Sequence, residues 1–302
     1  MSSKAKERKL ARKAETALAN EHAATVKAAN ALADPLAPLA PALRSFALDG
    51  GNTSAPPIRI RLSHARAADL PATLLDTAHD LCRRNMQELY APVWGEWDEG
   101  KKRRQLADAS SRFILAYEEQ DAAAPRPSAP KNPDSSSPED QGAAADEQPP
   151  PLPVALVNYR FEQDDAGGTG RGGPLSAVPV AYCYEVQLEQ AVQRRGLGKR
   201  LMKALEQLAV RAGMRAVVLT VLDANEAAKR LYASLGYTLD QNSPDPDDYE
   251  EAHSGYRILR KDFPEAVVKA AAMARAAAGA AGKAEAVSGG AGATASAAEV
   301  SK

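Results

Sequence analysis

The run Gln193-Arg194-Arg195-Gly196-Leu197-Gly198-Lys199 has the make-up of an anion cradle. Its glycines let a backbone approach a ligand closely, and successive N–H groups at a helix start form a nest for a pyrophosphate. Arg194, Arg195 and Lys199 add positive charge to the same loop. A tight strand–helix turn with surface arginines is the plainer reading of the same residues. A P-loop would need Gly-x-x-x-x-Gly-Lys-Ser/Thr, which is absent. The dinucleotide fingerprint would need a third glycine and an acidic residue after the next strand; Leu201 and Asp223 fit it poorly. His22, His64, His79 and His253 show no metal-ligand spacing, and no metal is expected. Cys183 could be imagined as a nucleophile, but strand alternation turns it away from Tyr182 and Tyr184, as a buried thiol would be.

The elements that must position this loop follow from hydrophobic period. Ile58 to Leu62 alternates apolar and charged residues, as a half-exposed strand does. From Leu70 to Tyr90, apolar positions recur at three- and four-residue steps, predicting a helix that Pro92 should stop. Strands are expected at 112–117, 154–161, 180–188, 216–222 and 256–259, and helices at 198–212 and 226–235. The order implies one mixed α/β domain with a central sheet. Residues 121–153 hold nine prolines, seven alanines and four serines, with Leu152 the one large aliphatic, and read as a disordered insertion. A glycine-rich loop spans 166–174. The expected organisation is a basic arm and lead-in at 1–56, a catalytic domain at 57–263 and an Ala/Gly-rich tail at 264–302.

Gln193-x-x-Gly196-x-Gly198 resembles the phosphate-gripping loop of the GNAT acetyltransferases. Asn225-x-x-Ala228-x-x-x-Tyr232 followed by Leu235-Gly236-Tyr237 resembles their second motif. Within that family, Asn85 to Tyr90, Tyr182 to Glu189, Leu219-Thr220-Val221 and Asn242-Ser243-Pro244 look like the NatD branch of histone N-alpha-acetyltransferases. The likeness covers about residues 1–40 and 58–260 without the two insertions. It implies a single GNAT fold and a ternary complex in which acetyl-CoA donates to the N-terminal serine of histones H4 and 2A. It also implies cofactor contacts at Val186, Gln187, Leu188, Arg194, Arg195, Gly196, Leu197, Gly198, Lys199 and Asn225. Glu185 would be the base acting through water, with an outward-facing strand glutamate as the plainer alternative. Tyr232 would be the general acid, or a packing aromatic. Peptide recognition would fall to Tyr90, Trp94 (or Trp97), Glu162, Asp164, Tyr182, Tyr184, Thr220, Asn242 and Tyr256. Asn242 and Asp240 also read as a simple turn before Pro244.

The chain has 302 residues, of which 44% are hydrophobic and 5% aromatic, and a formal net charge of -1. Every aromatic except Phe46 lies between Tyr90 and Phe263, so one core is expected. No apolar run reaches the roughly 18 residues that would suggest a spanning helix, and no apolar segment follows the basic start as in a secretory signal. Two cysteines, Cys82 and Cys183, make no disulfide framework, which suggests an intracellular protein with free thiols. The small net charge hides opposed segments. Lys4, Lys6, Arg8, Lys9, Arg12 and Lys13 form either a solvated run or an import or nucleic-acid patch. Asp240, Asp245, Asp247, Asp248, Glu250, Glu251, Glu162, Asp164 and Asp165 read either as solvated acidic loops or, if they line one mouth, as a site that would hold basic histone tails and repel nucleic acid from the catalytic domain. No membrane partner is expected, the chain should be monomeric, and its place would be nucleus and cytoplasm. The competing readings are an acetyltransferase for lysines or other N-termini, and a CoA-binding chromatin adaptor without catalysis.

Overall fold

The computed structural model describes residues 3–50, 56–119, 151–165, 177–245, 254–275 and 277. The glycine-rich loop 166–174, nearly all of the insertion 121–153, the acids Asp247, Asp248, Glu250 and Glu251, and most of the tail lie outside them. The elements run α1 (Ser3–Asn30), α2 (Pro41–Arg44), β1 (Ser45–Leu48), β2 (Ile58–Arg66), α3 (Ala72–Trp94), α4 (Glu99–Leu106), β3 (Arg112–Glu119), β4 (Ala155–Asp165) and β5 (Ala177–Leu188). They continue with α5 (Leu197–Ala212), β6 (Ala216–Leu222), α6 (Glu226–Ser234), β7 (Thr238–Leu239) and β8 (Tyr256–Asp262). Residues 265–275 are helical.

The strands form one sheet in the order β1-β2-β3-β4-β5-β6-β8-β7. Neighbours are antiparallel from β1 through β5, β5 pairs with β6 in parallel, and β8 returns antiparallel to both β6 and β7. In β2 the alternation seen in sequence buries Ile60 and Leu62 and leaves Arg59 and Arg61 outside. One sheet face and the apolar stripe of α5 (Leu201, Leu205, Leu208) close the main core, with Ala29 of α1 at its margin. The other face carries α3 and α4 over Phe113, Leu115 and Leu156.

The lead-in is part of this folded unit. Leu36, Leu39 and Leu48 are buried in the main core, and β1 adds an edge strand. The second half of α1 lies against the sheet, where Asn30 Nδ2 donates to Phe161 O (3.0 Å) and His22 Nδ1 lies 2.8 Å from Ala177 O. Arg66 and Arg112 donate to the carbonyls of Ala31 and Leu32, so two guanidinium groups satisfy the open end of α1 and its negative dipole. The basic residues at the start of α1 are all exposed.

Pro92 does not end α3. The helix continues to Trp94, and Gly95 N–H donates to Ala91 O at 3.2 Å. Pro92 forfeits the bond its own N–H would have made and crowds the carbonyl of Glu88, but the turn beyond it is still closed by Gly95 N–H on Ala91 O. α4 escaped the sequence reading because Glu99–Leu106 is almost wholly polar and buries only Lys102 and Leu106. Asp98 caps it by accepting from Lys101 N–H at 2.7 Å.

Candidate active site

β5 builds the centre of the site in two ways. It pairs with β6 only from Val180 to Cys183, after which the two strands diverge. Backbone groups on that edge of Tyr184 to Leu188 thus have no strand partner on the β6 side. Against β4, the register slips: Asn158 faces Glu185 while Tyr159 faces Cys183. Tyr184 is the extra residue of a β-bulge, a device that re-aims side chains. Regular alternation would have put Glu185 on the face opposite the tyrosines. The bulge brings it onto the same face as Tyr182 and Tyr184, under α3 and α4.

A cavity of about 710 Å³ opens where β5 and β6 part. Its walls come from α3 (Tyr90, Trp94), the α3–α4 turn (Trp97), β5 (Tyr182 to Gln187), β6 (Thr220), α6 (Asn225, Tyr232) and β8 (Tyr256). Tyr90 is its aromatic hub, with Trp94 edge-on at 4.7 Å and Trp97 at 5.3 Å, and Trp94 reaches Tyr256 at 5.9 Å. Both tryptophans therefore line the site. Tyr182 and Thr220 share a hydrogen bond of 2.7 Å.

Glu185 is buried at the cavity wall. Its Oε1 accepts from Lys102 Nζ at 2.6 Å, and its Oε2 accepts from Gln187 Nε2 at 2.8 Å. Gln187 is itself turned by Asn85, whose Nδ2 donates to Gln187 Oε1 at 3.0 Å. Lys102 was missed in the sequence because it sits in the run Lys101-Lys102-Arg103-Arg104, which reads as a solvated face. Its one signal is the four-residue step to Leu106, which puts both on the inner side of α4. Burial lowers the Lys102 ammonium, but Glu185 and Tyr90 outweigh it and hold the group above its ordinary value. Tyr90 is raised by burial and then by Glu185.

Tyr232 on α6 is buried, and burial, with Cys183 and Glu185 nearby, keeps its phenol well above the usual tyrosine range. It is a protonated donor at the cavity. Cys183 is buried in the main core and its thiol is pushed up by burial, which leaves it a poor nucleophile.

After β5, α5 starts at a left-handed Gly196 (φ 84°) with no side-chain cap. The N–H groups of Leu197, Gly198 and Lys199 form the open first turn of the helix. At Gly198 an added Cβ would sit 3.3 Å from Leu231 Cδ2, so that side chain would have to give by a few tenths of an ångström. Arg194 and Lys199 are exposed beside this turn. Arg195 is not presented to a ligand: its guanidinium donates to Asp49 O (2.9 Å) and Pro56 O (2.6 Å) and ties the loop to the β1–β2 connection. Asn225 spends its Oδ1 capping α6 through Ala228 N–H at 3.1 Å, which leaves its NH2 for a ligand. Val186 lines the cavity, whereas the Leu188 side chain packs against the main core. An open helix start after β5, and a cavity along the edge where β5 and β6 part, fit a long pyrophosphate-bearing thioester such as acetyl-CoA.

Three expected peptide contacts lie outside the cavity lining. Glu162 accepts from the Tyr184 hydroxyl at 3.3 Å and is raised by burial, while burial and then the Glu162 charge push Tyr184 up to about 12. Asp164 pairs with Arg260 at 3.3 Å, and Arg260 also faces buried Asp240 at 3.6 Å. The acidic mouth expected from composition is thus partly neutralised from within. Asn242 stands on an exposed turn and donates its N–H to Asp240 Oδ1 at 2.7 Å. Among the described residues, no group of three or more His, Cys, Asp or Glu could hold a metal ion.

Among known proteins, the family model for the Acetyltransferase (GNAT) family matches residues 83–237. The chain is similar to N-alpha-acetyltransferase 40 of Saccharomyces cerevisiae, at 39% identity over 93 residues, which is 28% of this chain. The match spans only 33% of that relative's length. Of solved structures, Arabidopsis thaliana NAA60 with a bisubstrate analogue aligns at TM-score 0.40 and 11% identity, covering 67% of this chain and 99% of that one. The GNAT domain of S. lividans PAT aligns at 0.40 and 15% identity, covering 74% and 100%. The matched residues 83–237 contain both glycine motifs, the split between β5 and β6, and the wall carrying Glu185 and Tyr232: the chain belongs to the GNAT acetyltransferase family.

Proposed function

We propose that the protein is an N-alpha-acetyltransferase that acts on the N-terminal serine of histones H4 and 2A. The observation that carries the reading is the buried carboxylate of Glu185 at the wall of an aromatic cavity that opens where β5 and β6 part. The partial likeness to N-alpha-acetyltransferase 40 supports the same choice. An α-amino group loses its proton near 7.7–8.0, so a carboxylate acting through a water suffices, whereas a lysine amine near 10.4 asks for a stronger base.

Acetyl-CoA would supply a thioester carbonyl; the N–H groups of Leu197 to Lys199 would hold its pyrophosphate, and Val186, Gln187 and the Asn225 amide would hold its pantetheine arm. In this assignment an unpaired N–H of the β5 edge points at the carbonyl oxygen and favours the charge that develops there. Glu185 takes the proton of the attacking amine through water. Tyr232 gives its proton to the departing sulfur as the C–N bond forms and the C–S bond breaks. Tyr90, Trp94, Tyr182, Thr220 and Tyr256 enclose the first residues of the peptide, with Tyr184 and Glu162 beside them. Basic residues further along would meet what remains of the acidic rim around Glu162 and Asp164. A monomer in the nucleus and cytoplasm, without direct contact between catalytic domain and nucleic acid, accords with such a substrate.

The test is acetylation of a Ser-Gly-Arg-Gly peptide beside scrambled and N-blocked versions, with Glu185→Gln as control. Turnover confined to the free N-terminus, and reduced about 100-fold or more in Glu185→Gln with acetyl-CoA binding intact, is expected. Equal turnover of the N-blocked peptide would move the target to lysine. Binding of acetyl-CoA with no turnover on any peptide would make the chain an adaptor.

A further inference from the structure

We propose that Lys102 is a positioning residue for Glu185, holding its carboxylate charged and aimed into the cavity and so setting the pH range over which the enzyme works. The inference rests on Glu185 being the base. Lys102 Nζ has three protons and three acceptors: Glu185 Oε1 at 2.6 Å, Gln105 Oε1 at 2.8 Å and the Tyr90 hydroxyl at 3.0 Å. Its side chain is 8% exposed and that of Glu185 3%. A fully coordinated ammonium of this kind is fixed in place without help from solvent.

Among the described residues, no second cation bonds Glu185. The titratable groups that face Glu185 are Cys82 and Tyr90 from α3, Cys183 from its own strand and Tyr232 from α6. Burial raises all of them, so each is neutral at working pH. Gln187 and Asn85 contribute dipoles but no charge. Lys102 is therefore the cation among these neighbours that balances a carboxylate taken out of water. Left without it, a buried carboxylate takes up a proton, because burial disfavours the charged form. A protonated Glu185 would accept nothing from an incoming amine.

The geometry also assigns direction. Lys102 donates to Oε1, where the Tyr90 hydroxyl also approaches at 3.5 Å, and Gln187 donates to Oε2, so donors from α3, α4 and β5 fix the carboxylate at the cavity wall. Lys102 makes the site neutral as a pair, so a substrate ammonium gains little there until it has lost its proton.

The test compares wild type, Lys102→Met, Lys102→Arg, Glu185→Gln and the Lys102→Met/Glu185→Gln double variant, with any peptide amine that the wild type acetylates. The Lys102→Met to wild-type ratio of turnover should be at least about tenfold lower at pH 6.5 than at pH 9, since the substrate amine titrates equally in both. Lys102→Arg should restore most of the low-pH activity. In the Glu185→Gln background, removing Lys102 should cause no further loss. A second readout needs no turnover: the melting temperature of Lys102→Met should fall between pH 6 and pH 9, as the lone buried carboxylate must ionise, while that of Lys102→Arg stays level. A turnover ratio independent of pH, with additive losses in the double variant, would overturn the proposal and leave a structural lysine. Full turnover in Glu185→Gln would instead overturn the base assignment on which it rests.

Discussion

Replacing Gly196 by alanine separates the conformation of the phosphate loop from its charge. Gly196 sits at φ 84°, ψ 0° as the N-cap of α5, and an added Cβ meets nothing within 4 Å. The cost of Gly196→Ala is therefore local backbone strain alone, roughly 1–2 kcal/mol for an alanine held left-handed. The loop is held on both sides, by Arg195 on Asp49 O and Pro56 O and by Arg200 N–H on Gly196 O at 3.2 Å. Relief of the strain must then tilt the open N–H groups of Leu197 to Lys199 away from the anion. If the cofactor bears the full cost, the Michaelis constant for acetyl-CoA rises about 5- to 30-fold, at 1.4 kcal/mol per decade. Turnover at saturating acetyl-CoA should change by less than about twofold, because the reacting groups lie on β5 and α6. Asparagine tolerates the left-handed region, so Gly196→Asn should show less than about half the effect in free energy. Thiol release followed against acetyl-CoA concentration gives both constants, and calorimetry with CoA gives affinity without turnover. Equal effects of alanine and asparagine, or an unchanged Michaelis constant, would refute the conformational account.

Tyr232→Phe should lower turnover by roughly 10- to 100-fold with the acetyl-CoA Michaelis constant unchanged; a loss confined to melting temperature would mark Tyr232 as packing only. His64 offers a pH test of stability. Burial, and then Arg112, lower its imidazole to about 4 from an ordinary 6.5. Between those values the unfolded chain binds the proton and the folded one does not, so stability rises with pH across that window. Denaturant unfolding should show a loss of about 2 kcal/mol on going from pH 7 to pH 5 that His64→Gln removes. An identical slope in the variant would assign the loss to other groups.

Periodicity made β2, β6, α5 and α6 legible to within a few residues, because each buries one face and leaves its period in the chain. The glycines of the two motifs were legible for a related reason: the backbone turns left-handed at Gly196 and at Gly236, a conformation that other residues adopt at a cost. α4 and β1 left no such trace, one nearly all polar and the other four residues long. The Pro92 stop failed because α3 runs two residues past it and closes through Gly95 N–H on Ala91 O.

The residue types of the site were thus readable in the chain, but not their alliances. Glu185 could be named from its strand, yet its face was decided by a bulge against β4 that a period of two does not contain. Lys102 lay hidden in a basic run until α4 packed on the sheet and set it 2.6 Å from Glu185, across 83 residues of chain. The acids around Asp164 and Asp240 looked like free charge until β8 brought Arg260 between them. Local sequence determines which conformations and charges are at hand. Which charges meet, and which are taken out of water, depends on contacts between distant segments, and those exist only once the sheet has formed.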